Sequence, residues 1–257
     1  PLMVFALIFG IALSLVARKG KGFDTLTTLL EQIFAVSMKI IDFAMVIAPI
    51  GVFAIVFNTI FKFGAGVLGS ILGYVLIVVL GLAIQQFVVY AGLLKWIARR
   101  SPWQFFKDSR DVYLYAFSTA SSNATLPLAI ETAEHKLKLP PRIARFVLTV
   151  GSTANQNGTA LFEGITVLFL AQVYGIELSL AQQAQVVFMS ILAGVGTAGV
   201  PGGSLPMIMI LLQSVGIPPE GIGLILGADR FLDMCRTTLN VSGDLVISAL
   251  VAGKQKA

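Results

Sequence analysis

The chain has 257 residues, of which 56% are hydrophobic and only 12% charged, against about 25% charged in a soluble domain. With a mean hydropathy of +0.88, that composition excludes an ordinary soluble domain and predicts an integral membrane protein, and long apolar runs without strict alternation predict helices rather than a barrel. The net charge of +5 is spread over short loops instead of a dense basic stretch with interleaved aromatics, so it excludes a nucleic-acid surface and points to orientation in a bilayer.

The chain opens on an apolar run from Pro1, with no initiator Met and no basic stretch ahead of it. The expectation is a helix that begins in a longer protein, not a signal peptide. Apolar segments follow at 2–16, 27–58, 66–98, 112–133, 145–173, 184–214 and 221–252. Most reach the roughly 20 residues needed to span the hydrocarbon core. Two are interrupted. Segment 112–133 carries "STASSNATLPLAI" and segment 184–214 carries "GVGTAGVPGGSLPM". Gly and Pro are poor in a helix interior, so each reads as a helical hairpin that enters the membrane and turns back. Each hairpin precedes a long apolar helix with a polar interruption: "ANQNGTA" at 154–160 in the first case, the opening stretch of the last segment in the second. Hairpin plus broken helix, twice, predicts an inverted repeat of the kind that frames a transporter's site.

Loop charges support that layout. Arg18, Lys19 and Lys21 sit near 17–22. Lys95, Arg99, Arg100, Lys107 and Arg110 sit in 95–111, flanked by Trp96 and Trp103. Lys136, Lys138, Arg142 and Arg145 lie in 134–145, and Lys254 and Lys256 in the tail. Lys62 stands alone near 59–65, and the loops near 174–183 and 215–220 carry only Glu177 and Glu220. The basic set, and the C-terminus with it, is expected on the cytoplasmic side. The first hairpin then enters from the cytoplasm and the second from outside.

The last segment holds "ADRFLDMCRTTLNVSGD". At about 100° per residue, Asp229, Asp233, Arg236, Asn240 and Asp244 share a stripe about 80° wide, with Thr237 at its edge. Such charges in a bilayer must face a wet cavity, an ion or one another. Carboxylates attract cations or an ammonium, and a guanidinium binds a carboxylate with both oxygens. Asp233 with Arg236 suits a solute bearing an ammonium and more than one carboxylate, while Asp229 and Asp244 are read as spare negative charge calling for a cation, Na⁺ or H⁺. Asn155, Gln156, Asn157 and Thr159 offer oxygens that suit a hard cation. The hairpin tips offer Ser121, Ser122, Asn123 and Thr125, and Thr197, Gly199, Gly202, Gly203 and Ser204. Either set also fits ordinary turn chemistry. His135 is expected in solvent, Lys39 and Asp42 as a local pair, Glu163 facing a cavity or a neighbouring domain, and Arg230 off the stripe. No metal cluster and no nucleophile–base pair speaks for an enzyme, and no covalent cofactor is implied.

On "SSNATLP", "NQNGTALFEG", "GTAGVPGG" and "DRFLDMCRTTLNVSGD", the chain resembles the dicarboxylate/amino acid:cation symporters, the family of the glutamate transporters, from residue 1 to about 252. The resemblance implies a multi-pass protein of the cell membrane and a homotrimer. It also implies a scaffold domain, here 1–58 in part, and a transport domain, here 59–257 without its first helix. The transport domain would move as a lift, with the second hairpin as its gate. The resemblance places the substrate's side-chain carboxylate on Arg236 and its ammonium on Asp233. Thr237, Asn240, Thr159, Ser122 and the backbone near Val200, Gly202 and Ser204 would hold the rest. One sodium would use Asn240, Asp244, Gly151 and Asn155, and another the backbone near Thr153, Gln156, Gly194, Val195 and Thr197. The family's usual Asn-Met-Asp-Gly-Thr reads Asn155-Gln156-Asn157-Gly158-Thr159 here, so Asn157 keeps an oxygen of a third ion site and loses its charge. Ala120 stands where archaeal members carry arginine. The expected function is symport of aspartate or glutamate with Na⁺, H⁺ or both. The alternatives are a proton-coupled C4-dicarboxylate symporter of the same fold and, in another class, an ion channel.

Overall fold

A computed structural model of the protein describes residues 2–17, 24–64, 66–197 and 199–253. Among these residues every regular element is helical. In chain order they are α1 (Leu2–Ala17), α2 (Asp24–Phe63), α3 (Gly66–Ile84), α4 (Pro102–Asp108), α5 (Arg110–Thr119), α6 (Ser122–His135), α7 (Pro141–Ala154), α8 (Asn157–Val173), α9 (Leu180–Gly196), α10 (Leu205–Ser214) and α11 (Leu226–Gly253). Beyond α3 the helix runs on through two π-helical stretches, Gln85–Tyr90 and Leu93–Ile97. Two compact units result, Pro1–Phe53 and Ala54–Ala257. The first contains α1, an uncharged run whose Phe5 and Phe9 stack with ring centroids 5.8 Å apart.

α3, in the second unit, is apolar on both sides. In α3, Tyr74, Val78 and Leu82 are buried, while Leu72, Leu76 and Leu80 are exposed, as is Phe87 just beyond. A helix that is hydrophobic all round packs against protein on one face and leaves the other for lipid or further protein. The 30 residues Leu68–Ile97 are the one helix among the described residues long and apolar enough to cross a membrane.

Polar residues are spent on the interior instead. α11 packs against α5, α7 and α8, and these helices approach closely where they carry glycine. A Cβ on Gly158 would lie 2.8 Å from the Arg236 carbonyl oxygen and 3.1 Å from its Cα. A Cβ on Gly151 would overlap the Asp244 carboxylate, and one on Gly243 the Tyr90 hydroxyl.

The interruptions fall near, but not always at, their expected places. Segment 112–133 turns at Ala120, which is left-handed (φ 49°), and at Ser121, whose Oγ accepts from the Ala124 N–H at 3.2 Å to cap α6. The turn thus precedes Pro127, which lies inside α6 and, having no N–H, leaves the Asn123 carbonyl without its helical donor. Segment 145–173 is broken at Asn155 (φ −98°, ψ 77°) and Gln156 (φ −107°, ψ 50°), between α7 and α8. A second broken helix is not formed. α11 is continuous, and the irregular backbone lies before it, in the 3₁₀ turn Pro219–Leu224. Two of its polar side chains are satisfied within the helix: Thr238 Oγ1 donates to the Met234 carbonyl and Ser248 Oγ to that of Asp244. Those residues therefore need no break.

At the basic end, Lys95, Arg99, Lys107, Arg110, Lys138, Arg142, Arg145 and His135 are exposed, and so is Arg230. Arg18, Lys19, Lys21, Lys254 and Lys256 lie outside the described residues, as do the side chains of Asp42 and Lys62. Arg99 (φ 55°) and Lys138 (φ 54°) are left-handed, a conformation that costs a non-glycine residue roughly 1–2 kcal/mol. Arg145 Nε donates to Glu134 Oε1 at 2.6 Å and holds that carboxyl below the usual glutamate range. A depressed carboxyl contributes stability above its unfolded-state value and loses it as the pH falls through the folded-state value.

Two outcomes follow for thermal unfolding in detergent. The deficit of Glu134→Gln against wild type is greatest near pH 7 and closes below about pH 4. Gly158→Ala loses roughly 1–3 kcal/mol as α8 is pushed off α11. Gly73→Ala, where a Cβ meets nothing within 4 Å, loses none.

Candidate functional site

The α11 stripe forms as its spacing predicts: Asp229, Asp233, Arg236, Asn240 and Asp244 are all buried. Arg236, 1% exposed, organises the two aspartates before it. Its Nε donates to Asp233 Oδ1 at 3.1 Å and its Nη1 to Asp229 Oδ1 at 3.2 Å, and the guanidinium lies 4.0 Å over the ring of Phe162 in α8. Asp229 is therefore an ion-pair partner and not the spare charge expected from the sequence. Seven residues bring it back to the same face of the helix, and a desolvated guanidinium takes whatever carboxylate that face presents. Two carboxylates against one guanidinium leave the centre one charge negative. Arg236 Nη2 remains buried with no hydrogen-bond partner.

Asp233 reaches the second hairpin, its Oδ2 accepting the Gly202 N–H at 2.9 Å. Gly202 has φ 72°, a conformation open to glycine at little cost. The two hairpin turns also meet each other: Ser121 Oγ donates to the Gly199 carbonyl at 2.8 Å, and the Asn123 N–H approaches the same oxygen at 3.4 Å. Together they enclose a cavity of about 10 Å³, the room of one water. Of the expected substrate ligands, Ser122, Thr159, Val200, Ser204, Asp233, Arg236 and Thr237 line it. Ser204 Oγ is buried and, like Arg236 Nη2, unbonded. Gly202 joins through its amide on Asp233. Asn240 lies outside the lining, giving Nδ2–H bonds to Gln156 Oε1 (2.6 Å) and Thr159 Oγ1 (3.1 Å) and accepting the Gly158 N–H on Oδ1 (2.7 Å).

The break between α7 and α8 supplies a second group of oxygens. Asn155 Nδ2 donates to Asp244 Oδ1 at 2.8 Å, and Gly151 lies against the same carboxylate. No ion pair to Asp244 forms among the described residues. Gly194, at the end of α9, faces the Gln156 carbonyl across the break, and Thr197 Oγ1 turns back to the Ala193 carbonyl. Thr153 and Val195 are exposed, and the Thr153 hydroxyl bonds the Val150 carbonyl, so the two residues offer the site backbone only. Asn157 stands apart, its Nδ2 donating to the Tyr90 hydroxyl at 3.2 Å. Among the described residues no group of three or more His, Cys, Asp or Glu gathers. Amide, hydroxyl and carbonyl oxygens around a single carboxylate suit a hard cation better than a transition metal.

Two contributors, Tyr90 and Phe162, carried no usable signal in the sequence. Tyr90 reaches Asn157 from a π-helical stretch that no periodicity marks. Phe162 read as one more apolar residue. Glu163, expected from the sequence to face a cavity or a neighbouring domain, is wholly buried with neither carboxyl oxygen hydrogen-bonded.

Removing Asp229 keeps the Asp233 pair but leaves Arg236 Nη1 a second buried donor without a partner. Asp229→Ala is expected to destabilise the protein by roughly 1–3 kcal/mol, read as a fall in melting temperature in detergent. An unchanged melting temperature would mean that the Asp229–Arg236 pair is not formed.

The model of the sodium:dicarboxylate symporter family matches residues 1–254. A proton/sodium-glutamate symport protein of Bacillus subtilis is 35% identical over 253 residues, 98% of this chain and 58% of its own length. Excitatory amino acid transporter 1 of Ambystoma tigrinum is 36% identical over 253 residues, 97% of this chain and 46% of its own. A proton/glutamate-aspartate symporter of Escherichia coli is 35% identical over 252 residues, 98% and 57%. The chain thus spans about half the length of the curated relatives it matches.

Proposed function

The chain belongs to the sodium:dicarboxylate symporter family, and from that premise we propose that it carries the substrate and cation sites of a symporter for acidic amino acids, aspartate or glutamate. The observation that carries the reading is Arg236 Nη2, a buried cationic donor with no partner on a residue that lines the cavity between the hairpins. A substrate carboxylate binds there and on the Ser204 hydroxyl. Its ammonium sits on Asp233, which gives up the Gly202 amide or the Arg236 Nε to receive it. An amino acid is far larger than the room of one water, so the 199–204 turn moves aside on binding, which suits a gate. Na⁺ enters as a second substrate at Asp244, Asn155, Asn240 and the Gly151 backbone, with another at the backbone around Gln156, Gly194 and Thr197. Glu163, buried and unbonded, is the group best placed to carry a proton.

In this reading the α5–α6 and α9–α10 pairs are re-entrant hairpins of an inverted repeat in the cell membrane, with the 95–111 and 134–145 loops and the C-terminus cytoplasmic. The meeting of their turns at Ser121 and Gly199 supports it. Residues 1–58 belong to the scaffold of a homotrimer, and residues 59–257 to a domain that moves as a lift. The names of the relatives, glutamate and aspartate symporters driven by sodium or protons, favour the same substrates and ions.

Uptake of labelled L-aspartate into proteoliposomes under an inward Na⁺ gradient tests the site. Arg236→Cys is expected to lose on the order of 100-fold in aspartate affinity, the worth of a charge-assisted contact of 2–3 kcal/mol. Asp233→Ser should harm aspartate more than succinate, which has no ammonium. Unchanged affinity in the first variant, or equal losses in the second, would refute the two roles.

A further inference from the structure

The basic end of the second unit carries features that transport does not use. Three non-glycine residues among those described are left-handed, and two of them, Arg99 and Lys138, are cations at this end. Each stands just past a helix end, where glycine is the usual residue. The helix ends close around them, Arg100 N–H to the Leu94 carbonyl and Leu139 N–H to the Ala133 carbonyl, both at 2.9 Å. The two ends are tied together, Arg100 Nη1 donating to the Leu137 carbonyl at 2.7 Å. Beside that bond is a cavity of about 200 Å³ lined by Arg100 and Lys136. Its one acid, Asp108, is engaged by Gln104 Nε2 at 2.8 Å. Lys136 pairs with Asp111, but no ion pair among the described residues holds Arg99, Arg100, Lys107 or Lys138.

We propose that this cavity binds the phosphate of an anionic phospholipid. Three observations favour a lipid over free phosphate. The cavity adjoins the end of the apolar span Leu68–Ile97, and the proposal rests on that span crossing the bilayer. Trp96 and Trp103 are 77% and 79% exposed there, the setting of rings that lie at headgroup level. Finally, α4 separates the basic cavity from an apolar groove of about 330 Å³ lined by Phe87, Phe106 and Phe117. Phe105 lines the first and Phe106 the second, with ring centroids 6.3 Å apart. A charged headgroup and an acyl chain of one molecule fit that pair of cavities. Arg100 and Lys136, the cations of the cavity lining, hold the phosphate, and the left-handed Arg99 and Lys138 add positive charge next to them in the chain.

Trp96 and Trp103 are the chain's two tryptophans, so tryptophan emission, excited where tyrosine does not absorb, reports this site alone. The protein is placed in phosphatidylcholine nanodiscs and quenched with tail-brominated phosphatidylglycerol or tail-brominated phosphatidylcholine. Phosphatidylglycerol should reach half-quenching at a mole fraction about fivefold lower or less, the preference one basic contact gives. In the double variant Arg100→Gln, Lys136→Gln the preference should vanish, and Lys136→Gln alone, at an exposed residue of the lining, should weaken it while the melting temperature holds. Equal quenching by the two lipids, or an undiminished preference in the double variant, overturns the proposal. So does saturable binding of labelled inorganic phosphate that the double variant loses without any lipid preference in wild type. Aspartate uptake by the same protein reconstituted into sealed vesicles of the same lipids separates the two readings: transport without a lipid preference refutes the lipid site alone, and a preference without transport refutes only the symporter.

Discussion

A guanidinium almost closed off from solvent, in a helix set among apolar ones, determines much of the rest. Arg236 cannot shed its proton to escape the cost of burial, so neutralising groups have to come to it. Two carboxylates do so from its own helix, and the Phe162 ring covers one face from α8. Asp233 in turn fixes the Gly202 turn. One charged centre thereby orders α11, α8 and the second hairpin. The pairing is incomplete: a net negative charge and one unbonded Nη2 remain. That incompleteness distinguishes the centre from a structural salt bridge, which would satisfy all of its donors.

Close backbone approach is the second requirement. The Asp244 carboxylate lies against Gly151, the Arg236 backbone against Gly158, and Tyr90 against Gly243. A side chain at any of the three would separate helices whose polar groups bond across the gap. The non-helical residues Asn155 and Gln156 complete the arrangement. They turn two side-chain amides toward α11 just where Asp244 and Asn240 lie, without the lipid exposure that irregular backbone cannot bear.

Much of this was legible in the sequence, and the physical reason is local. Helical periodicity states which residues of one helix share a face, so the α11 stripe from Asp229 to Asp244 could be read directly. Gly, Pro and hydroxyl clusters mark where a helix cannot continue, which located the turns at 120–121 and 199–204 and the break before Gly158. Partners across helices are a matter of packing. Periodicity therefore gave Asp229 a face but not its bond to Arg236. It gave Phe162 no role, and it did not reveal that π-helical winding carries Tyr90 to Asn157. The expected break in the last helix failed for a similar reason. The charged and polar stretch from Asp229 to Asp244 looks like an interruption in a sequence, yet its side chains bond one another and the facing helices in the fold.

The central claim is that the unfinished charge around Arg236 and Asp244 is completed by an acidic amino acid and a cation together. Equilibrium binding of L-aspartate to the purified protein, titrated against Na⁺ with choline holding the ionic strength and repeated across pH, tests it most directly, because ligands that complete one site must raise each other's affinity. The account predicts that aspartate binds and that its affinity climbs with Na⁺ or with protons. Aspartate affinity that ignores both cations, or no aspartate binding at all, would contradict it.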